Sequence, residues 1–189
     1  RDPEMSRGLG DVYKRQVLPA CETAVDMLYF KTVWKIKEKY LSGQEKKDLT
    51  QCFGTRMDML NLQWICRAKK YYHLPEGEIY AMIIPISLHL KKTEIRAMAQ
   101  AEDVEQVYAL IRNSWYGRLD LGNLEKGQSL EEPCREVIDR IYELTSRKEP
   151  YSASVLNSYL YFKEREIEKI ITTCLLYTSP SPRDISGSR

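Results

Sequence analysis

Glu164, Glu166 and Glu168 crowd together near the end of the chain. On a helix, Glu164 and Glu168 share a face one turn apart. Two carboxylates held together there could raise one pKa far enough for acid–base work. The surroundings point elsewhere, because Lys163 and Lys169 interleave with the acids. A mixed Lys/Glu helix face normally stays in water, with i, i+3 pairs such as Lys163–Glu166 worth a few tenths of a kcal/mol. The cluster is read as a solvated charged face.

A second cluster, Arg67, Lys69 and Lys70 beside Tyr71 and Tyr72, has the composition of a basic–aromatic nucleic-acid patch. The same cations also fall in the last turn of a long expected helix, where they complement the helix dipole. Overall charge favours the second reading. The chain has 29 Lys and Arg against 27 Asp and Glu, and the counts are equal once residues 1–16 and 174–189 are set aside. With no basic excess, no nucleic-acid partner is expected.

No set of metal ligands emerges. With Cys174 set aside among residues 174–189, Cys21, Cys52, Cys66 and Cys134 form no CxxC pair, and only His73 and His89 could join them. A tetrahedral zinc site needs close-spaced pairs, so no metal is expected, and the thiols read as reduced cysteines of a cytosolic protein. His73 is expected to cap helix carbonyls. His89 is expected to be superficial or half-buried. GxxxxGK[ST], GxGxxG, GxSxG and HExxH are all absent from the sequence. No catalytic residue and no cofactor are expected.

The elements that would position these residues are helices. The two terminal segments are first set apart. Ser6–Gln16 can be encoded by DNA whose opposite strand, in a shifted frame, encodes Cys174–Asp184, and the flanking Arg1–Met5 and Ile185–Arg189 match in the same way. Residues 1–16 and 174–189 are therefore expected to be translated sequencing-adapter DNA, disordered and outside the fold. Residues 17–173 remain as a helical region. Its longest apolar run, Ala81–Ile86, is far shorter than the roughly 20 residues a membrane span needs.

Within that region the spacing predicts a helix over 19–41, ended by Ser42-Gly43 with Gly43 in the left-handed conformation. A long helix is expected over 44–72. Leu49, Phe53, Met57, Leu60 and Trp64 would form its inner stripe. Gly54 is its weak point and marks a kink or a close helix crossing. His73-Leu74-Pro75 ends that helix, since the residue before proline avoids the α region. Shorter helices are expected over 75–84, 93–101 and from Glu102 or Asp103 to 114. A glycine-containing loop follows over 115–129. Two further helices are expected over 131–147 and from Pro150 or Ser152 onward. Leu156, Tyr159, Leu160, Ile167, Ile170 and Ile171 would form the apolar stripe of the last one.

The segment Asp58-Met59-Leu60-Asn61-Leu62-Gln63-Trp64-Ile65-Cys66-Arg67-Ala68-Lys69-Lys70-Tyr71-Tyr72 resembles the DxxNLxxIxRxKxYY signature of the C-type subunits of V/A-type ATP synthases, the family that includes the d-type subunit of the vacuolar ATPase. The segment Val155–Ile167, with Lys163, Glu164, Glu166 and Ile167 at its end, resembles a second signature of that family, an apolar run leading into KExEI. The resemblance covers essentially all of residues 17–173.

It implies an all-α fold, a helical-bundle fragment of a three-domain, funnel-shaped subunit holding part of the middle domain and much of the last. It also implies a non-catalytic central-stalk part of the rotor. Its partners would be the central-shaft subunits and the membrane rotor ring, during proton or sodium transport linked to ATP. Such a protein would be peripheral to the membrane through the ring, on the cytoplasmic face of a bacterial cell. Asp58, Asn61, Arg67, Lys163, Glu164 and Glu166 would then be packing or interface residues. The rival readings are a generic helical interaction scaffold and a helical enzyme using Glu164 and Glu168.

Overall fold

The computed structural model describes residues 24–119, 121, 129–148 and 150–178, with residues 176–178 by their backbone alone. Every regular element among them is a helix, so the protein is all-α as expected. The chain divides into two compact units, one up to Ile141 and the other from Tyr142 onward.

In the first unit, α1 spans 24–40; its expected start at 19–23 lies outside the described residues. The chain turns at Ser42-Gly43, and Gly43 takes φ 59°, a left-handed value that glycine tolerates without a Cβ penalty. Helix α2 follows over Gly43–Arg67. Its last turn widens into a π-helix over Ala68–Tyr72, which the spacing did not reveal. His73 then stops it with φ 49° in the left-handed region. The Ala68 carbonyl accepts from the His73 amide and also from the Leu74 amide at 3.2 Å, closing the end of the helix.

Helix α3 is Glu76–Met82, ending two residues earlier than expected, because Ile83 is already extended ahead of Pro85. Helix α4 is Lys92–Gln100. Helix α5 is Val104–Asn113, and it starts on Asp103, whose carboxylate accepts from the Gln106 amide at 2.8 Å. The expected loop at 115–129 begins with a 3-10 turn over Trp115–Arg118. Gly122 and Gly127, also assigned to that loop, lie outside the described residues.

Helix α2 is the centre of this unit, with α3 and α5 packed on it and α4 packed on both of those. The expected inner stripe is only partly right. Leu49 and Met57 are buried, but Phe53, Leu60 and Trp64 are half-buried. The deeper face carries Cys52, Thr55, Asp58, Met59, Asn61, Leu62 and Ile65. Apolar spacing finds the apolar side of a helix, and here the most enclosed side is partly polar. Near its start, α2 meets α1 through Lys37, a buried lysine that donates to Thr50 Oγ1 at 2.6 Å and lies over the Trp34 ring.

Helix α6, Glu131–Ser146, runs through the division at Ile141. In the second unit, α7 spans Ala153–Thr178. Its buried face is Ser154, Ser158 and Tyr161. Ser158 Oγ donates to the Tyr142 carbonyl at 3.1 Å, and the Tyr161 ring stacks on Tyr142 at 4.1 Å. Small residues let the backbones approach, so this polar stripe is the inner one. Leu156, Tyr159, Leu160, Ile167, Ile170 and Ile171, the expected stripe, are each more than half exposed. Residues 174–178, expected to be disordered, continue the helix. No proline or glycine stands between Ala153 and Pro180, and each added residue gains a backbone hydrogen bond once a helix is running.

Candidate functional site

Between α3 and α4 the chain runs from Ile83 to Lys91 without regular secondary structure. Its amides therefore need partners from elsewhere, because an unpaired buried N–H costs about as much as a lost hydrogen bond. Helix α2 supplies them. Asp58 and Asn61 are three residues apart, which places both on one face. Each is fully inaccessible to solvent.

Asn61 makes a two-way pair with Ile84. The Ile84 amide donates to Oδ1 at 2.8 Å, and Asn61 Nδ2 donates to the Ile84 carbonyl at 3.1 Å. Asp58 takes the other end of the segment. Its Oδ2 accepts from the His89 amide at 2.8 Å and the Leu90 amide at 3.3 Å, and the Leu88 amide reaches both carboxylate oxygens at 3.2 Å. A fourth donor comes from beyond α5, where Tyr116 Oη donates to Oδ2 at 2.8 Å. Two side chains of one helix thus hold down a strap of irregular backbone.

Burial raises the Asp58 carboxyl above the ordinary aspartate value, against the lowering effect of the four donors. Burial together with the neighbouring carboxylate also pushes the Tyr116 phenol well up, so it stays a donor across the physiological range. The strap presses close on α2. A Cβ placed on Gly54 would stand 2.7 Å from Leu88 Cβ, so the close approach at Gly54 is to the irregular strap and not to another helix as expected. His89 closes the outer edge. Its ring stacks on Trp115 at 3.6 Å between centroids, and its Nε2 lies 3.3 Å from Gln51 Nε2. Burial lowers its pKa, so the neutral ring accepts from the Gln51 amide.

The remaining signature residues lie apart from this cluster. Arg67 is half-exposed and reaches Glu131 Oε1 with Nη2 at 2.5 Å and Nε at 3.2 Å. In the second unit, Lys163 Nζ meets Glu166 Oε2 at 2.6 Å on the surface. That pair raises the lysine pKa and lowers that of the glutamate. Glu164 and Glu168 are exposed. Lys69 and Lys70 are half-buried, while Tyr71 and Tyr72 are exposed at the π-helical end.

The family signature pointed to Asp58 and Asn61 but not to their partners. Tyr116, His89 and Trp115 lie on other elements, and no short-range pattern links them. A buried carboxylate whose lone pairs are occupied by four fixed donors has no room for a substrate. Three of the thiols are no more available: burial pushes Cys66 up to about 12, Cys134 rises for the same reason, and Cys52 is buried. Among the described residues, no three His, Cys, Asp or Glu side chains are placed to hold a metal ion. No described helix is long and apolar enough to cross a membrane. The arrangement fixes backbone in place.

Comparison with known proteins agrees with the two signatures. The family model described as ATP synthase (C/AC39) subunit matches residues 3–175. The C-type subunit of the A-type ATP synthase of Pyrococcus abyssi (strain GE5 / Orsay) is 30% identical over 136 residues, covering 68% of this chain and 35% of that protein. The chain thus spans about a third of the length of that curated relative. No solved structure matches the chain.

Proposed function

The chain belongs to the ATP synthase (C/AC39) subunit family, and on that premise we propose that it is part of a non-catalytic central-stalk subunit of a V/A-type ATPase. In this reading it couples the central shaft to the membrane rotor ring while ATP chemistry is linked to proton or sodium transport. It works at the cytoplasmic face of a bacterial membrane and touches the bilayer only through the ring.

The observation that carries the proposal is the use of Asp58 and Asn61. Both are wholly buried, and both act on the backbone of the strap. A part that transmits force must not yield, and a strap tied at both ends by charge-assisted and amide hydrogen bonds is stiffer than a free loop. We assign Asp58, Asn61 and Arg67 a packing role. Lys163, Glu164 and Glu166 are placed at an outer surface, where a neighbouring protein of the motor could meet them.

The test is capture followed by coupling. The intact gene product should co-purify with shaft and ring proteins from its source cell. Membranes lacking it should hydrolyse ATP without building an ion gradient. A product that purifies alone and leaves coupling untouched would overturn the proposal. ATP-independent hydrolytic activity lost on Glu164→Gln would favour an enzyme instead.

A further inference from the structure

Asp58 and Asn61 hold the strap from its inner side, which leaves its outer side as a fixed surface. That surface is concave. Tyr80 of α3, Ile83, Ile84 and Pro85 of the strap, and Lys92 and Ile95 of α4 line a groove of about 180 Å³. Its floor is set by Ile84, the residue whose amide and carbonyl are both clamped by Asn61. Ile84 and Ile95 are buried, Ile83 is half-buried, and Tyr80 and Pro85 are open to solvent.

We propose that this groove docks an acidic segment of a partner protein through one large apolar side chain. Size selects the anchor. Pockets for whole small molecules run to roughly 300–1,000 Å³, whereas a cavity of about 150 Å³ holds one benzene. The groove therefore fits a single leucine or phenylalanine side chain. Anchors of this kind, seated in a preformed pocket, dominate binding at protein interfaces.

Charge selects the neighbours of that anchor. Lys91 and Lys92 stand exposed where the strap enters α4, and neither has an acid within ion-pair distance among the described residues. Two of the three acids on α3 and α4 are already engaged. Glu94 accepts from the Lys91 amide at 2.7 Å, and Glu76 accepts from Gln100 at 3.0 Å and faces Arg96. The positive end of α4 adds to the same field. A symmetric pairing of this groove with the same groove of a second copy is a poor arrangement, since it would bring lysines against lysines. A partner carrying carboxylates beside its apolar anchor fits.

The inference stands on the groove and not on the rotary reading, and the two can fail separately. The probe is a glutamate-rich dodecapeptide with one central leucine, titrated into the full chain and followed by amide NMR. Shifts should concentrate at Ile83–Ile95. Replacing the peptide leucine by alanine should weaken binding about tenfold, the scale of a buried anchor. Lys92→Glu should reverse the preference toward a lysine-rich version of the peptide, and Tyr80→Ala should weaken both. Unchanged Leu88 and His89 amide shifts would certify that each variant remains folded. Shifts elsewhere, equal binding of acidic and basic peptides, or no shift at millimolar peptide would overturn the proposal. So would groove shifts that grow with protein concentration alone, which would mark a second copy as the occupant.

Discussion

Tyr116 donates its phenolic hydrogen to Asp58 at 2.8 Å across 58 residues of sequence, so the turn after α5 and the strap before α4 share one carboxylate of α2. Removing the donor and removing the acceptor should differ. Tyr116→Phe takes away one of four donors and leaves Asp58 otherwise satisfied, for a loss of about 1–2 kcal/mol. Asp58→Ala strands three amides and a phenol in a dry site, and its cost should reach about 3–5 kcal/mol. Urea denaturation of the full chain measures both. An Asp58→Ala loss below that of Tyr116→Phe would show that the carboxylate does not hold the strap.

Asn61 should act on a narrower stretch. Asn61→Ala leaves the Ile84 amide and carbonyl buried without their partners, which predicts a loss of about 2–4 kcal/mol. Hydrogen exchange locates the effect. Protection of the Ile84 amide should collapse, while amides in the middle of α5 keep theirs. Equal loss in both places would mean general unfolding and no specific tie.

Gly54 offers a test in which two effects oppose each other. Alanine is the better helix former by about 1 kcal/mol. Its Cβ would stand 2.7 Å from Leu88 Cβ, a contact no side-chain rotation relieves. Overpacking of this kind costs about 1–3 kcal/mol. Gly54→Ala should therefore destabilise on balance, read as a lower melting temperature. A stabilised variant would show that the strap yields easily.

The helices were legible in the sequence because helix signals are local. Gly43, Pro75, Pro85 and Asp103 mark starts and stops that depend on a few neighbouring residues. Asp58 and Asn61 were legible as residues of a signature, but what they hold was not. Their partners are backbone amides, and any sequence presents amides. The inner faces of α2 and α7 were misjudged for one shared reason. Apolar periodicity assumes that the buried side is the apolar side, whereas α2 buries Asp58 and Asn61 and α7 buries Ser154 and Ser158. The π-helical turn at Ala68–Tyr72 left no trace in residue spacing, since its residues fit an ordinary helix equally well.

Arg67 is a contrast to the buried pair. Its contact with Glu131 has good geometry but sits half in water, and exposed pairs contribute about 0–1 kcal/mol. A double-mutant cycle with Arg67→Ala and Glu131→Ala should give a coupling in that range. The coupling should shrink further as salt is raised. A coupling above about 2 kcal/mol that resists salt would show the pair to be buried in solution.

Acid should loosen the edge of the strap through His89. Its folded pKa lies below the ordinary value of 6.5, because burial disfavours the charged ring. Above 6.5 the ring is neutral folded or unfolded, and the group contributes no pH dependence. Below it the unfolded chain takes up a proton that the folded ring resists, so stability is lost as pH falls from there toward the lowered folded value. Protonation would also set an N–H against the Gln51 amide donor. Asp58 runs the other way: its raised folded pKa means that stability falls as pH rises from 3.8 toward that value. Wild-type measurements alone would mix the two. His89→Phe keeps a ring on Trp115 and cannot titrate. Between about pH 7 and 5 the wild type should lose stability relative to this variant. A constant difference across that interval would mean that the folded ring takes up its proton as readily as the unfolded one.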